Sequence, residues 1–187
     1  MIIGDSNLYN AVAEQEVVVG GQRITSDINL SESGLGYYNI RPFELSKIID
    51  RYNPSFLVFG LGTNCVLNQQ HDEGLTKSVG LFKEALRHCP VYVVGIPNIK
   101  PTGQWGDIIE PGTFNCLLRG AVKKAKDEFR GRHKIRYICS FKNPIFRDDG
   151  IHMSNYQEHM DEILAQIPNA RQGAFQSREV AQSASLN

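Results

Sequence analysis

Residues 54–64 read Pro54-Ser55-Phe56-Leu57-Val58-Phe59-Gly60-Leu61-Gly62-Thr63-Asn64. A proline opens the run, an apolar segment fills Phe56 to Phe59, and a glycine stops it. Short apolar runs bounded by Pro and Gly fit strands buried on both faces. The same grammar recurs along the chain. Met1 to Ile3 stops at Gly4, Glu16 to Val19 stops at Gly20-Gly21, Val91 to Val94 lies between Pro90 and Gly95, and Lys134 to Cys139 follows a Gly-Arg-His stretch.

Amphipathic segments lie between these runs: Pro42 to Tyr52, Gly74 to His88, Thr113 to Phe129 and Ser154 to Ile167. The third carries Phe114, Leu117, Leu118, Ala121, Val122, Ala125 and Phe129, whose intervals of three and four form a helical stripe. The fourth opens with Ser154-x-x-Gln157, which fits a capping box. Strands alternating with helices imply a parallel sheet with helices on both faces. The expected architecture is a three-layer α/β/α domain with a five-stranded parallel, doubly wound sheet. Such sheets bind ligands at the carboxyl ends of their strands. The domain is expected over residues 1–167, with a polar tail over 168–187 that is rich in Gln, Ser, Ala and Arg.

Composition bounds the function. The chain has 187 residues, 41% of them apolar, with 20 Lys plus Arg against 20 Asp plus Glu. This excludes a disordered chain. Zero net charge argues against a partner held by bulk electrostatics, such as duplex DNA or an anionic membrane. Cys65, Cys89, Cys116 and Cys139 form no CxxC and read as four buried free thiols. No paired metal ligands stand at short spacing. No signal segment precedes the first strand and no apolar run reaches membrane length, so a cytoplasmic location is the default expectation.

Three loops carry candidate chemistry. Gly4-Asp5-Ser6 follows the first strand and exposes a hydroxyl at the sheet edge; by itself it also fits a simple helix cap. Gly60-Leu61-Gly62-Thr63-Asn64 follows the third and projects an amide toward the same edge; alone it fits an Asx turn. Asp149-Gly150-Ile151-His152 follows the fifth, and a carboxylate beside an imidazole fixes the ring tautomer and stabilises the imidazolium. Asp148 is adjacent, but spacing favours Asp149. Together the loops supply a nucleophile, an amide donor and an Asp–His base.

On these three blocks, in this order, the sequence resembles the SGNH (GDSL-type) hydrolases. Ser6 matches the serine of the first block, Asn64 the asparagine within GTN, and Asp149 with His152 the D-x-x-H block. The resemblance covers about residues 1 to 167 and implies a flavodoxin-like SGNH hydrolase fold. The family also supplies a glycine N–H to an oxyanion. Aligning the second block on Thr25 puts Arg23 where a glycine often stands, whereas aligning it on the strand end gives Gly20 or Gly21, of which Gly21 is preferred.

The resemblance implies a serine esterase acting on small acyl or acetyl esters, carbohydrate O-acetyl groups among them. His152 would take the Ser6 proton, Asp149 would orient His152, and Ser6 would form an acyl-enzyme. The Ser6 and Gly21 N–H groups and the Asn64 amide would hold the oxyanion. No cofactor or metal is expected. The partner would be a small-molecule or glycan ester. The competing expectation is a non-catalytic binding or structural module that keeps the fold.

Other features read as ordinary. The basic stretch Lys123 to Arg136 contains Asp127 and Glu128 and reads as a solvated helix end rather than a nucleic-acid surface. Tyr37, Tyr38 and Trp105 lie in expected loops, where they either line a pocket or pack on the core.

Overall fold

A computed structural model describes residues 1–7, 18–19, 22–23, 30–103, 105, 107–139 and 141–168. Its strands are β1 (Ile2–Gly4), β2 (Val18–Val19), β3 (Gln22–Arg23), β4 (Leu57–Gly60), β5 (Val91–Val94) and β6 (Ile135–Ile138). Its helices are α1 (Pro42–Tyr52), α2 (Gly62–Leu67), α3 (His71–His88), α4 (Pro111–Glu128) and α5 (Tyr156–Ala165).

The main sheet has the order β1-β4-β5-β6, and every pair in it is parallel. β1, β4 and β5 are apolar on both faces, and their alternate residues enter different cores. Met1, Ile3, Leu57, Phe59, Val91 and Val93 join one cluster. Ile2, Val58, Tyr92 and Val94 join the other. The first core is closed by Leu45 and Ile49 of α1, Leu81 and Phe82 of α3, and Phe114 and Leu118 of α4. The second is closed by Tyr156, Met160, Ile163 and Leu164 of α5. Helices therefore cover both faces, which gives the three-layer α/β/α arrangement.

Four strands, not five, form this sheet. The expected strand at Glu16 to Val19 is displaced: Val18–Val19 pairs with Gln22–Arg23 in a separate antiparallel ladder. The free edge of β1 is covered instead by residues 30–32. The Leu30 N–H donates to the Ile2 carbonyl at 2.9 Å and the Glu32 N–H to the Gly4 carbonyl at 3.1 Å. Equal steps in the same direction along both segments make this a short parallel pairing. It restores the doubly wound order, because the chain crosses to one side of β1 before returning to β4 on the other. The switch point falls between the carboxyl ends of β1 and β4, where such folds bind ligands.

The helices begin and end for local reasons. α1 starts with Pro42 and stops where Asn53 takes a left-handed φ of 42° and sends its N–H back to Ile49. α4 follows Glu110, whose carboxylate accepts the Thr113 N–H at 2.9 Å. α5 opens one residue later than a cap at Ser154 would set it. Ser154 Oγ donates to the Ile145 carbonyl instead, and Asn155 precedes the helix without a side-chain cap. Within the amphipathic stripes, Phe43 and Leu117 face solvent. Two cysteines depart from the expected burial: Cys65 and Cys89 are buried, whereas Cys116 and Cys139 are exposed, and all four are free. The basic helix end is solvated, with Lys123 paired to Asp127 at 2.6 Å and Lys83 to Glu128 at 2.8 Å. No helix among the described residues is long and apolar enough to cross a membrane. The expected tail beyond residue 168 lies outside the described residues.

Candidate active site

The turn after β1 carries Asp5, Ser6 and Asn7, all buried at the carboxyl edge of the sheet. Asp5 fixes its neighbours. Its N–H donates to the Gly60 carbonyl at 2.9 Å, continuing the β1–β4 ladder by one step. Its carboxylate accepts the Asn7 N–H at 3.1 Å and the Thr63 N–H at 3.0 Å. The first of these bonds is the local turn expected of an Asp two residues before an N–H. The second ties the Ser6 turn to the loop that bears Asn64. Burial raises the Asp5 carboxyl to about 6, although hydrogen bonds from Thr63 and Asn7 and the nearby His152 pull it down.

Asp149 and His152 come from a loop folded back on itself between β6 and α5. Phe146 and Met153 form an antiparallel bridge, and the Arg147 N–H donates to the His152 carbonyl at 2.8 Å. Gly150 sits at the tip with φ +66°, and an added Cβ there would overlap the Lys100 carbonyl. Only glycine fits that conformation and that approach. The tip is fastened to the loop after β5. The Lys100 N–H donates to the Gly150 carbonyl at 2.9 Å, the Thr102 N–H to the Asp149 carbonyl at 3.0 Å, and Thr102 Oγ1 to the Asp148 carbonyl at 2.8 Å.

On this scaffold the three predicted side chains meet. His152 Nε2 lies 3.1 Å from Ser6 Oγ, and His152 Nδ1 lies 2.6 Å from Asp149 Oδ2. Asp149 Oδ1 accepts the N–H groups of Ile151 and His152, each at 2.8 Å. Burial would raise the Asp149 carboxyl, but the His152 ring and these two main-chain donors outweigh it and bring it to about 2. The arrangement is a hydroxyl, an imidazole and an ionised carboxylate in series, the chemistry of an activated serine.

Asn64 stands on α2, its side-chain amide donating to the Leu35 carbonyl at 3.0 Å. That contact brings it beside the turn that follows the β1-edge segment. Gly20 and Gly21 lie outside the described residues. Tyr37 is fully buried in the first core, packed at 5.6 Å edge-on to Phe82; Trp105 is exposed.

Two site residues were not singled out from the sequence. Asn7 spans the gap to the base loop: its Nδ2 donates to the Ile151 carbonyl at 3.3 Å and its Oδ1 accepts the Met153 N–H at 3.2 Å. His159 of α5 is buried, its ring centroid 5.3 Å from that of Phe141 with the planes tilted by 46°, and burial lowers it to about 4. With Asp5, Asn7 and Thr63 it lines a cavity of about 10 Å³ behind the Ser6 turn. No short motif marks either residue; only their position after a strand or in a helix stripe was readable.

No family model and no curated protein matches the chain by sequence. Solved structures do match in fold. A mutant acetyl esterase crystallised with acetate ion aligns with a TM-score of 0.61 at 16% identity, over 89% of this chain and 95% of that one. A carbohydrate esterase family 3 protein from Talaromyces cellulolyticus aligns with a TM-score of 0.59 at 18% identity, over 89% and 95%. TesA aligns with a TM-score of 0.61 at 16% identity, over 88% and 94%. The chain has the SGNH (GDSL-type) hydrolase fold.

Proposed function

We propose that this protein is a serine esterase of small acyl or acetyl esters, carbohydrate O-acetyl groups included, working through an acyl-enzyme on Ser6. The observation that carries the reading is the continuous Ser6–His152–Asp149 chain of 3.1 and 2.6 Å contacts. It also favours an enzyme over a module that merely keeps the fold. Fold-level likeness to an acetyl esterase and a carbohydrate esterase supports the ester class.

In this mechanism His152 Nε2 accepts the Ser6 proton as Oγ attacks the ester carbonyl. The ionised Asp149 holds Nδ1–H and stabilises the imidazolium. The proton passes to the leaving alcohol, and water then attacks the acyl-enzyme with the roles reversed. The oxyanion rests on the Ser6 N–H, on the second amide hydrogen of Asn64, and on a glycine N–H.

For that glycine, Gly34 has better support than Gly21. It lies two residues past the segment that pairs with β1. It takes φ +83° in a turn closed by the Leu35 N–H on the Glu32 carbonyl at 3.2 Å. Asn64 binds the very next carbonyl, that of Leu35.

The test is hydrolysis of p-nitrophenyl acetate by the wild-type chain and by Ser6→Ala, with fluorophosphonate labelling of both. Turnover and labelling that depend on Ser6 are expected. Equal rates in both proteins, with no label on Ser6, would overturn the reading. A panel of acyl chain lengths and acetylated sugars then sets the substrate.

A further inference from the structure

We propose that Asn7 is a positioning residue that holds His152 against Ser6 by clamping the main chain on both sides of the base. This rests on the triad reading above. His152 is flanked by Ile151 and Met153, and the Asn7 side chain bonds to both, at the Ile151 carbonyl and the Met153 N–H. Asn7 is 3% exposed and sits next to Ser6 in the chain.

The base loop has its own fastenings, but they lead elsewhere. The bonds from Lys100 and Thr102 tie it to the loop after β5. The Phe146–Met153 bridge and the Asp149 contacts are internal to it. Among the described residues, three hydrogen bonds join residues 5–7 to residues 149–153. One is the Ser6–His152 contact itself, and Asn7 makes the other two. The catalytic contact thus has a parallel brace one residue away.

An amide side chain suits this task because it carries a donor and an acceptor on one rigid plane. Bonding the carbonyl before a residue and the N–H after it is the pattern a neighbouring parallel strand would use. Leu at this position offers neither bond, and Asp lacks the donor. Asn7 is itself held from behind, since Asp5 accepts its N–H and is anchored to Gly60. The brace therefore runs from the end of β4 through Asp5 and Asn7 to the backbone that carries the imidazole. A displacement of about 1 Å at a reacting group can cost about a hundredfold in rate, which sets the scale of the effect.

The experiment compares wild type with Asn7→Leu, with kcat counted per active site titrated by fluorophosphonate. A fall in kcat of about 10- to 100-fold is expected, with KM within about threefold. In a His152→Ala background, with rates counted per folded protein because Ser6 no longer titrates, the same substitution should add no further loss, because the residue acts through the imidazole. An unchanged kcat per titrated site, or an equal fold loss without His152, overturns the proposal. If Asn7→Leu does not fold, Asn7→Asp keeps an acceptor for the Met153 N–H and replaces the donor to Ile151 with a carboxyl oxygen. It should lose kcat in the same direction, and full activity in it would be decisive against the clamp. If the wild type shows no Ser6-dependent turnover, the esterase reading fails separately, and amide hydrogen exchange still decides. Exchange at Met153 should quicken in Asn7→Leu, which removes its acceptor, while Val93 stays slow; no change at Met153 in that variant overturns the clamp.

Discussion

Asp5 and Asp149 lie on opposite sides of the Ser6–His152 contact, and their acidities move in opposite directions. Each accepts two main-chain N–H groups. Asp5 is 2% exposed and is held at about 6, while Asp149 is half-buried and lies at about 2. The difference comes from solvent and from one imidazole. Asp149 keeps contact with water and receives the His152 Nδ1 bond at 2.6 Å, whereas among the described residues Asp5 has no cationic partner in direct contact. Equal numbers of backbone donors do not fix a carboxyl's charge; burial and the third partner decide it.

The sharpest way to break this comparison is Asp149→Asn. It keeps the shape but removes the charge that stabilises the imidazolium, and kcat should fall on the order of 10³- to 10⁴-fold. A loss under tenfold in p-nitrophenyl acetate turnover would remove Asp149 from the mechanism.

Next in size is Gly150→Ala. Left-handed backbone costs a non-glycine residue of order 1–3 kcal/mol, and the overlap with the Lys100 carbonyl adds to it. Urea unfolding should show a loss of about 3 kcal/mol, with a matching fall in activity as the base loop shifts. Wild-type stability in this variant would mean that the loop tip is not tied down as described.

Asp5 gives a subtler signal, in pH. Its folded value of about 6 lies above its ordinary 3.8. It therefore favours folding most below about 4, and that contribution is lost as pH rises toward 6. A displacement of this size is worth about 3 kcal/mol. Wild-type stability relative to Asp5→Asn should decline by roughly that amount between pH 3.5 and 6.5 in denaturant titrations. A flat difference would show that the carboxyl is not held protonated by its burial.

Asp149 should show the smallest effect, of opposite sign. Its folded value lies below the ordinary one, so its contribution is present above about pH 4 and is lost as pH falls toward 2. Because the group is half-exposed, solvent screening keeps the change modest. Comparing wild type with Asp149→Asn over pH 2–5 checks both sign and size.

Much of this was legible in the chain. Proline and glycine bracket β4 and β5 because each strand is short and buried on both faces, so residue type alone marks its ends. α1 matches its expected bounds, since Pro42 and Asn53 punctuate it chemically. The meeting of Ser6, Asp149 and His152 was legible because each sits just past a strand or on a short loop. The edge segment at residues 30–32 was not, because only Leu30 among them is apolar and two hydrogen bonds hold it. The Val-rich run at 17–19 looked more like a sheet strand, and local preference does not say which strand will be the partner. α2 was read as a turn: six residues opening on Gly-Thr-Asn carry too short a period to register. Asn7 was silent for a different reason. Its two partners lie 144 and 146 residues away, and no local pattern encodes them.

That same separation has a consequence for how the protein is made. Ser6 Oγ and His152 Nε2 are 146 residues apart in the chain. Synthesis at about 5–20 residues per second delivers the hydroxyl roughly 7 to 30 seconds before the imidazole that would activate it. The growing chain therefore carries an inert alcohol until nearly the whole domain has left the ribosome. Contacts of such long range also close late and slowly in folding. If the proposed esterase reading holds, the onset of ester cleavage in a translation mixture should then follow synthesis of the His152 loop.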